Sequence, residues 1–464
     1  MRRKCGMRNT ECGIGRFAAL VSAAVMLAVS AVPASGRMDQ LTLDQCVEMA
    51  MRSNLSIETA KEKLAEKDAA IKEASSANMP TLSAQAAYTR VIPQPENPMA
   101  SLFENLAPIF TSMGAPVPAI AEISPNVYTL GLTATQVLYA GGKISNAKKI
   151  RKHDRAAAEW QRQSAVREIR RDVTKAYYQA LAVNRNIVAI DSSIALVEVT
   201  IRDLSNLVEV GMLGEHELLQ VQVQLANLRL TRQQVATGAQ AAHDYLAMLI
   251  GVPVNTTITL VEEMDAPGSL NMPEVPDLQR KARDISTDMK ALEEQMKIVE
   301  ASLHITGHSI TKPTILAQAG YSGQGIGQGK DGSWDNSGNV SLIAQWDIYD
   351  FGAANSKRRQ TLSQKRQLEL GMEQLGIGLD MQVKNSIASL QDAFTSLETH
   401  HKSIEQTKRS YQLSYDKFQE GMLPSLELMT AQNLRLQAEI AYYAALSQFY
   451  MSQADLDYLV NEER

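Results

Sequence analysis

The stretch Val166–Val210 reads VREIRRDVTKAYYQALAVNRNIVAIDSSIALVEVTIRDLSNLVEV. Apolar residues fall in it at alternating steps of three and four: Val166, Ile169, Val173, Ala176, Ala180, Val183, Ile187, Ile190, Ile194, Val197, Ile201, Leu204 and Val208. That is a 3.5-residue repeat, the seam of a helix that packs as a coiled coil. Neither Gly nor Pro occurs from Lys143 to Val210. One helix is therefore expected over the whole span, on the order of 100 Å at 1.5 Å per residue. A soluble coiled coil is the plain reading of such a rod, and the flanking sequence decides whether it suffices.

Beyond the rod stand Val210-Gly211-Met212-Leu213-Gly214, and a second seam begins. It runs through Leu218, Val221, Leu225, Leu228, Val235, Ala239, Ala242, Leu246 and Leu249, with Arg232 the one polar entry. Arginine can lay its apolar stem along a seam and keep its head in water. A short glycine turn between two seams is a helical hairpin, with Gly211 free to take the left-handed conformation that ends a helix.

Upstream, residues 41–77 read as one helix, stopped at Met79-Pro80-Thr81. The period then changes to two. Leu82, Ala84, Ala86 and Tyr88 alternate with Ser83, Gln85, Ala87 and Thr89, and Tyr128, Leu130, Leu132, Ala134 and Leu138 with Thr129, Gly131, Thr133 and Thr135. Such alternation predicts strands with one apolar face. The loop between them, residues 92–125, is Pro-rich and holds an amphipathic piece, Ser101 to Met113.

Residues 251–275 read as irregular, and then the layout restarts. A helix is expected from Asp277 to Leu303, and Lys312-Pro313-Thr314 ends it. A strand follows with Ile315, Ala317, Ala319 and Tyr321 on one face, then another with Val340, Leu342, Ala344, Trp346 and Ile348. Pro80 matches Pro313 and Tyr88 matches Tyr321 at an offset of 233; Tyr139, Gly142, Gly211, Glu217 and Leu246 match Tyr349, Gly352, Gly421, Glu427 and Leu456 at 210. A constant offset on both sides of one 23-residue difference marks an internal duplication, with the longer loop in the first copy. The second rod, Ala353 to Glu420, has a poorer seam, and Gly371, Gly376 and Gly378 are expected to bend it or let it pack closely.

Four strands of about ten residues, each apolar on one side, suit a membrane-spanning sheet. Open edges in hydrocarbon cost several kcal/mol per unpaired group, so several chains are expected to share one barrel. Trp346, Tyr139 and Tyr349 at the helix-side ends fit an interfacial belt. A soluble four-stranded sheet is the alternative.

The N-terminus reads as a secretory signal over residues 1–36, with Arg2, Arg3, Lys4, Arg8 and Arg16, an apolar core Phe17–Val32 and a cleavage site at Ala34-Ser35-Gly36; a membrane anchor is the alternative. Its removal takes away five basic residues and Glu11, and moves the net charge from −5 to −9. Cys46 is then the one cysteine, with no intramolecular partner, and is expected to be buried. Charges are mixed in sign along the helices, so no basic patch points to nucleic acid.

Helix, Pro, strand, loop, strand, long helix, Gly turn and helix, given twice after a signal, resembles the TolC family of outer-membrane efflux proteins. The most specific local features are Tyr139-Ala-Gly-Gly142 and Tyr349-Asp-Phe-Gly352, the tips Gly211-Met212-Leu213 and Gly421-Met422-Leu423, and Leu218-Leu-Gln-Val-Gln222 with Leu428-Met-Thr-Ala-Gln432. The resemblance implies a mainly α fold with membrane β. A homotrimer would form a 12-stranded barrel in outer-membrane lipid, continuous with a 12-helix periplasmic barrel. Repeats at 37–265 and 266–464 are expected. Tips at Val210, Gly211, Met212, Leu213, Gly421, Met422 and Leu423 would dock a periplasmic adaptor and, through it, an inner-membrane transporter. Glu427 matches a gate-region aspartate of the family, and Thr430 stands where a second would be. Phe418 and Leu423 replace polar tip residues that help latch the gate in those members. Glu217 and Glu427, repeated threefold, would ring a narrow opening and favour cations, beyond simple complementarity to a helix N-terminus.

Other chemistry fails on spacing. Gly323-Gln-Gly-Ile-Gly-Gln-Gly329-Lys330 lacks the P-loop pattern, with Asp331 where Ser or Thr is needed, and is expected to be a surface loop. His304 and His308 lack a third metal ligand. No nucleophilic triad is evident, and neither an enzyme nor a cofactor is expected. Three functions remain: the exit duct of a tripartite small-molecule efflux system, the duct of a one-step protein secretion system, and a pore-less periplasmic coiled-coil protein.

Overall fold

Two unbroken helices of 67 residues dominate the chain. The computed structural model describes residues 38–461 apart from 91, 93–97, 117–125, 255, 262–263, 271, 308–311 and 327–332. The expected signal, His308 and residues 327–331 of the glycine-rich run lie outside the described residues. In chain order the elements are β1 (Met38–Leu41), α1 (Leu43–Ser53), α2 (Leu55–Ser76), β2 (Thr81–Arg90), α3 (Pro98–Ser112), β3 (Asn126–Tyr139), α4 (Lys143–Glu209), α5 (Glu215–Ile250), β4 (Ile258–Leu260), α6 (Val275–Ile285), α7 (Thr287–Gly307), β5 (Thr314–Ile326), β6 (Ser333–Gln345), α8 (Ala353–Gln419) and α9 (Ser425–Val460).

Several boundaries differ from the sequence reading, each for a local reason. The helix expected over 41–77 is two helices, because Asn54 turns to extended backbone and its side chain accepts from the Ser56 N–H at 2.9 Å. α1 itself opens on a reciprocal capping box between Thr42 and Gln45. The helix expected from 277 breaks at Ser286, whose hydroxyl accepts from the Met289 N–H. Within 251–275, β4 pairs in parallel with β1. The last strand starts at Ser333 and ends at Gln345, so Trp346 and Ile348 lie past it. It starts earlier because Gly323 and Gly325 belong to β5, not to a loop, and pair with Asn336 and Trp334. Gly371, Gly376 and Gly378 leave α8 unbroken, and among the described residues none of them is packed closely against another element. A Cβ at 371 or 378 would meet no atom within 4 Å, and at 376 only Met289 Cε at 3.9 Å. In so long a helix the cost of about 1 kcal/mol per glycine is carried by the surrounding cooperative hydrogen bonds.

One compact unit gathers the described residues up to Ser53 with Asp172–Pro267 and Ser396–Tyr450. Its heptad seam is split by depth. Ile190, Val197 and Leu204 of α4 are fully buried, and Ile187, Ile194 and Ile201 only half-buried. The buried set packs with Val221 and Leu228 of α5, Tyr411 of α8, and Leu428 and Leu436 of α9. Each such side chain contributes about 1.5–3 kcal/mol on burial. Cys46 is buried on α1. α5 ends at Gly251 with φ 76°, where a Cβ would lie 2.7 Å from the Ser53 carbonyl oxygen, so only glycine fits.

A second unit gathers Asn54–Arg171, Gly268–Thr395 and Met451–Arg464. It holds an antiparallel sheet in the order β2-β3-β5-β6, with β2 and β6 at the edges. The register puts Leu82, Ala84, Ala86 and Tyr88 beside Ala134, Leu132, Leu130 and Tyr128, and continues through Ala319 and Tyr321 to Val340. That apolar face is exposed in the protomer; Val340 is 88% and Leu82 74% accessible. The opposite face carries Thr, Ser, Gln and Asn side chains, including Ser83, Thr133, Gln318 and Ser341.

Candidate pore and docking site

Both helical hairpins turn through the same device. At the first, the Gly211 N–H donates to the Val208 carbonyl at 3.0 Å and the Met212 N–H to the Leu207 carbonyl at 2.9 Å. At the second, Gly421 donates to Phe418 and Met422 to Lys417 at the same two distances. These are paired bonds of a Schellman cap, and both glycines sit at φ 72°. A Cβ on either would meet nothing within 4 Å. Glycine is required there by backbone conformation, not by crowding.

The tip candidates divide by direction. Val210, Met212 and Met422 are exposed, whereas Leu213 and Leu423 pack against the apolar cluster of the four helices. Phe418 packs against it too and is half-buried. Glu217 lies in the first turn of α5 with Oε2 shielded from solvent and without a hydrogen-bond partner among the described residues. Glu427 occupies the matching turn of α9 and is exposed. Thr430 is exposed, and its hydroxyl donates back to the Leu426 carbonyl at 2.8 Å. The structure thus brings Phe418, Leu213 and Leu423 onto one cluster and leaves Glu427 and Thr430 facing solvent.

Three features escaped the sequence reading. Gln432 is 2% exposed and donates to the Ser193 carbonyl at 2.8 Å, joining α9 to α4; its repeat mate Gln222 is exposed. Arg435 lies over the Tyr411 ring at 5.3 Å and bonds Glu439 at 3.2 Å, joining α9 to α8. Finally, Tyr88, Tyr128 and Trp334 stand at the sheet end away from the long helices. The two tyrosine rings are 5.0 Å apart, and the Trp334 side chain fills the space over Gly323 and Gly325. The apolar alternation had already marked Tyr88 and Tyr128; Trp334 needed the register.

At the helix-side end, Phe351 holds φ 52° and is 90% exposed, beside Tyr349 at 4.8 Å between ring centroids. Its repeat mate is Gly141, φ 60°. A bulky residue in the left-handed region is strained. Asp350 holds the turn, accepting from the Gly352 and Ala354 N–H groups.

The sheet-and-hairpin architecture is that of known outer-membrane channels. The structure is similar to the outer-membrane channel OprN, with TM-score 0.68 and 18% identity over 91% of this chain and 90% of that one. It is similar to VceC of Vibrio cholerae at TM-score 0.68 and 15% identity, covering 90% and 95%. The CmeC outer membrane channel of Campylobacter jejuni matches at TM-score 0.67 and 14% identity, covering 91% and 87%. No relative is found among curated proteins. In sequence, the model of the outer membrane efflux protein family matches residues 46–252 and 280–462, most of the chain. The chain therefore belongs to the outer membrane efflux protein family, whose members are the outer-membrane channels of tripartite efflux pumps.

Proposed function

We propose that three copies of this chain close their sheets into one 12-stranded barrel and their hairpins into one 12-helix periplasmic duct for small molecules. The observation that carries this reading is the four-stranded sheet, whose β2 and β6 edges have no partner strand among the described residues while its apolar face is exposed. In lipid, only a closed barrel satisfies such edges. From Trp334 to Ala344 is ten residue steps, about 33 Å along the strand and about 23 Å of membrane at a 45° tilt. That suits an apolar band of about 25 Å between two aromatic girdles. Tyr88, Tyr128 and Trp334 would form the outer girdle, and Tyr139, Trp346, Tyr349 and Phe351 the inner one.

The repeats at 37–265 and 266–464 would each supply two strands and one hairpin. Val210, Met212 and Met422 offer apolar contacts at the tips for a periplasmic adaptor, and the adaptor links the duct to an inner-membrane transporter. Glu427 faces solvent at the closed end and is the main candidate for cation preference, with Glu217 second. The deciding experiment is light scattering of the detergent-extracted protein together with planar-bilayer conductance. A trimer with stepwise conductance is expected; a monodisperse monomer retaining its full sheet content, or absence of conductance, overturns the reading.

A further inference from the structure

The channel reading leaves α3 unused. This helix lies between β2 and β3, in the stretch from Tyr88 to Tyr139 that is 23 residues longer than the matching stretch from Tyr321 to Tyr349. The last pair of the β2–β3 ladder is Arg90 with Asn126, so α3 is tied to the sheet end away from the long helices. The seven residues from 91 to 97 allow it a reach of about 23 Å from that end.

At 100° per residue, Leu102, Phe103, Leu106, Ile109 and Phe110 fall within an arc of about 120°. The Phe103 and Phe110 rings stack at 6.1 Å between centroids. Glu104, the single charged residue of the helix, lies on the opposite arc with Pro108 and Thr111. Pro108 frees the carbonyl of Glu104 from its intrahelical bond. On the polar arc, water can satisfy that oxygen. Leu102, Ile109 and Met113 are each half exposed or more in the protomer, and Phe103, Leu106 and Phe110, which crowd one another on the same arc, are half-buried.

We infer that α3 lies flat at the outer boundary of the membrane, with the Leu102–Phe103–Leu106–Ile109–Phe110 arc in lipid and the Glu104–Pro108 side in water. Continuity favours lipid as the occupant. The apolar sheet face ends in Tyr88, Tyr128 and Trp334, at the edge to which α3 is tied, and the Tyr88 hydroxyl donates there to the Asn126 side chain at 2.9 Å. The breadth of the arc points the same way, because the helices of this chain pair through narrow heptad seams. With no Lys or Arg on α3, attachment rests on apolar area and not on anionic headgroups, so added salt should not release it.

The inference rests on the sheet being the lipid-facing wall, and the test separates the two. The full chain is reconstituted in phosphatidylcholine vesicles with a thiol-reactive fluorophore at Leu106→Cys, Glu104→Cys or, on the sheet face, Leu132→Cys. Unsubstituted protein taken through the same labelling is the blank. The Leu106 label should lose about half its emission to lipids carrying a shallow nitroxide and little to aqueous iodide, and the Glu104 label should do the reverse. A Leu106 label spared by the lipid quencher while Leu132 is quenched would overturn the inference and keep the wall. A spared Leu132 beside a quenched Leu106 would overturn the wall and keep the helix. Cross-linking of Leu106→Cys between copies by a bismaleimide, without lipid quenching, would instead make α3 a lid built by copies of the chain, and would also overturn the inference. If Leu106→Cys prevents assembly, Phe110→Cys on the same arc takes its place.

Discussion

α5 and α9 are both 36 residues long and stand 210 positions apart, yet they are buried to different extents. α9 is held from several sides, by Ser193 of α4 through Gln432, by Asn433 against Gln224 of α5, and by Tyr411 of α8 through Arg435. α5 meets α4 through the Arg232–Asp191 and Arg229–Glu198 pairs, and α9 through Gln224. Its remaining flank carries Leu219, Val223, Ala226 and Leu230 at heptad spacing, three of them large apolar side chains at least half exposed. Two helices of equal length, matched at one sequence offset, are therefore packed differently, one interior to the protomer and one at its margin. A margin with an unused seam is what a helix barrel of several copies needs.

The largest expected effect is on that margin. Val223→Glu with Leu230→Glu should abolish the trimer seen by light scattering, because an unpartnered charge buried between copies costs several kcal/mol. Helical circular dichroism of the protomer should survive. An intact trimer would mean that the flank faces water in the assembly. Next come the turns. Gly211→Pro or Gly421→Pro cannot hold φ 72° and loses the N–H of the cap. Efflux-dependent resistance in a strain lacking its own channel should disappear while membrane insertion persists, and normal resistance in either would remove that turn from the docking tips.

Within the helices, Leu428→Ala should cost about 3 kcal/mol and its repeat mate Leu218→Ala about 1, since Leu428 is fully buried and Leu218 half-buried. Thermal melting of the helical signal checks this, and equal shifts would contradict the asymmetry. The carboxylates sharpen it further. Glu427→Gln should shift the reversal potential across a salt gradient more than Glu217→Gln, whose Oε2 is shielded. Unchanged cation preference in the double variant would leave both residues as helix-end partners only.

The smallest effect concerns His243, on α5, whose repeat mate on α9 is the exposed Gln453. His243 Nε2 lies 3.0 Å from Asn184 Oδ1, and Nδ1 is buried without a partner among the described residues. Burial lowers its pKa below the ordinary histidine value, opposed by the nearby Asp244 carboxylate. The unfolded chain therefore takes up this proton first, at about pH 6.5. The stability contribution is complete above that pH and is lost as pH falls through the lower folded value. His243→Asn should flatten the acid side of the melting-temperature profile, and an unchanged slope would place the acid sensitivity elsewhere.

Much of the architecture was legible because its determinants are local. A seam of 3.5-residue period, uninterrupted by Gly or Pro, specifies a long helix wherever it packs, and α4 ends at Glu209, one residue short of the expected end. Alternation of period two specified the strands, and the constant offsets aligned the tips. Boundaries that depend on one side chain reaching backwards, Asn54 to Ser56 or Ser286 to Met289, were not legible, because helical patterning continues across them. Nor was the extent of β5 and β6, where Gly323 and Gly325 read as a loop until Trp334 was seen to fill the space above them. Among the site residues, sequence alone marked Glu217, Glu427, Phe418 and the tip glycines. Only the tertiary structure decided that Phe418 packs inward while Glu427 meets solvent, and that α9 is interior while α5 keeps an open flank. Period and turn chemistry act within a few residues of one chain. Which of two equivalent seams is buried depends on how many neighbours surround it, and that number exists only once the helices have packed.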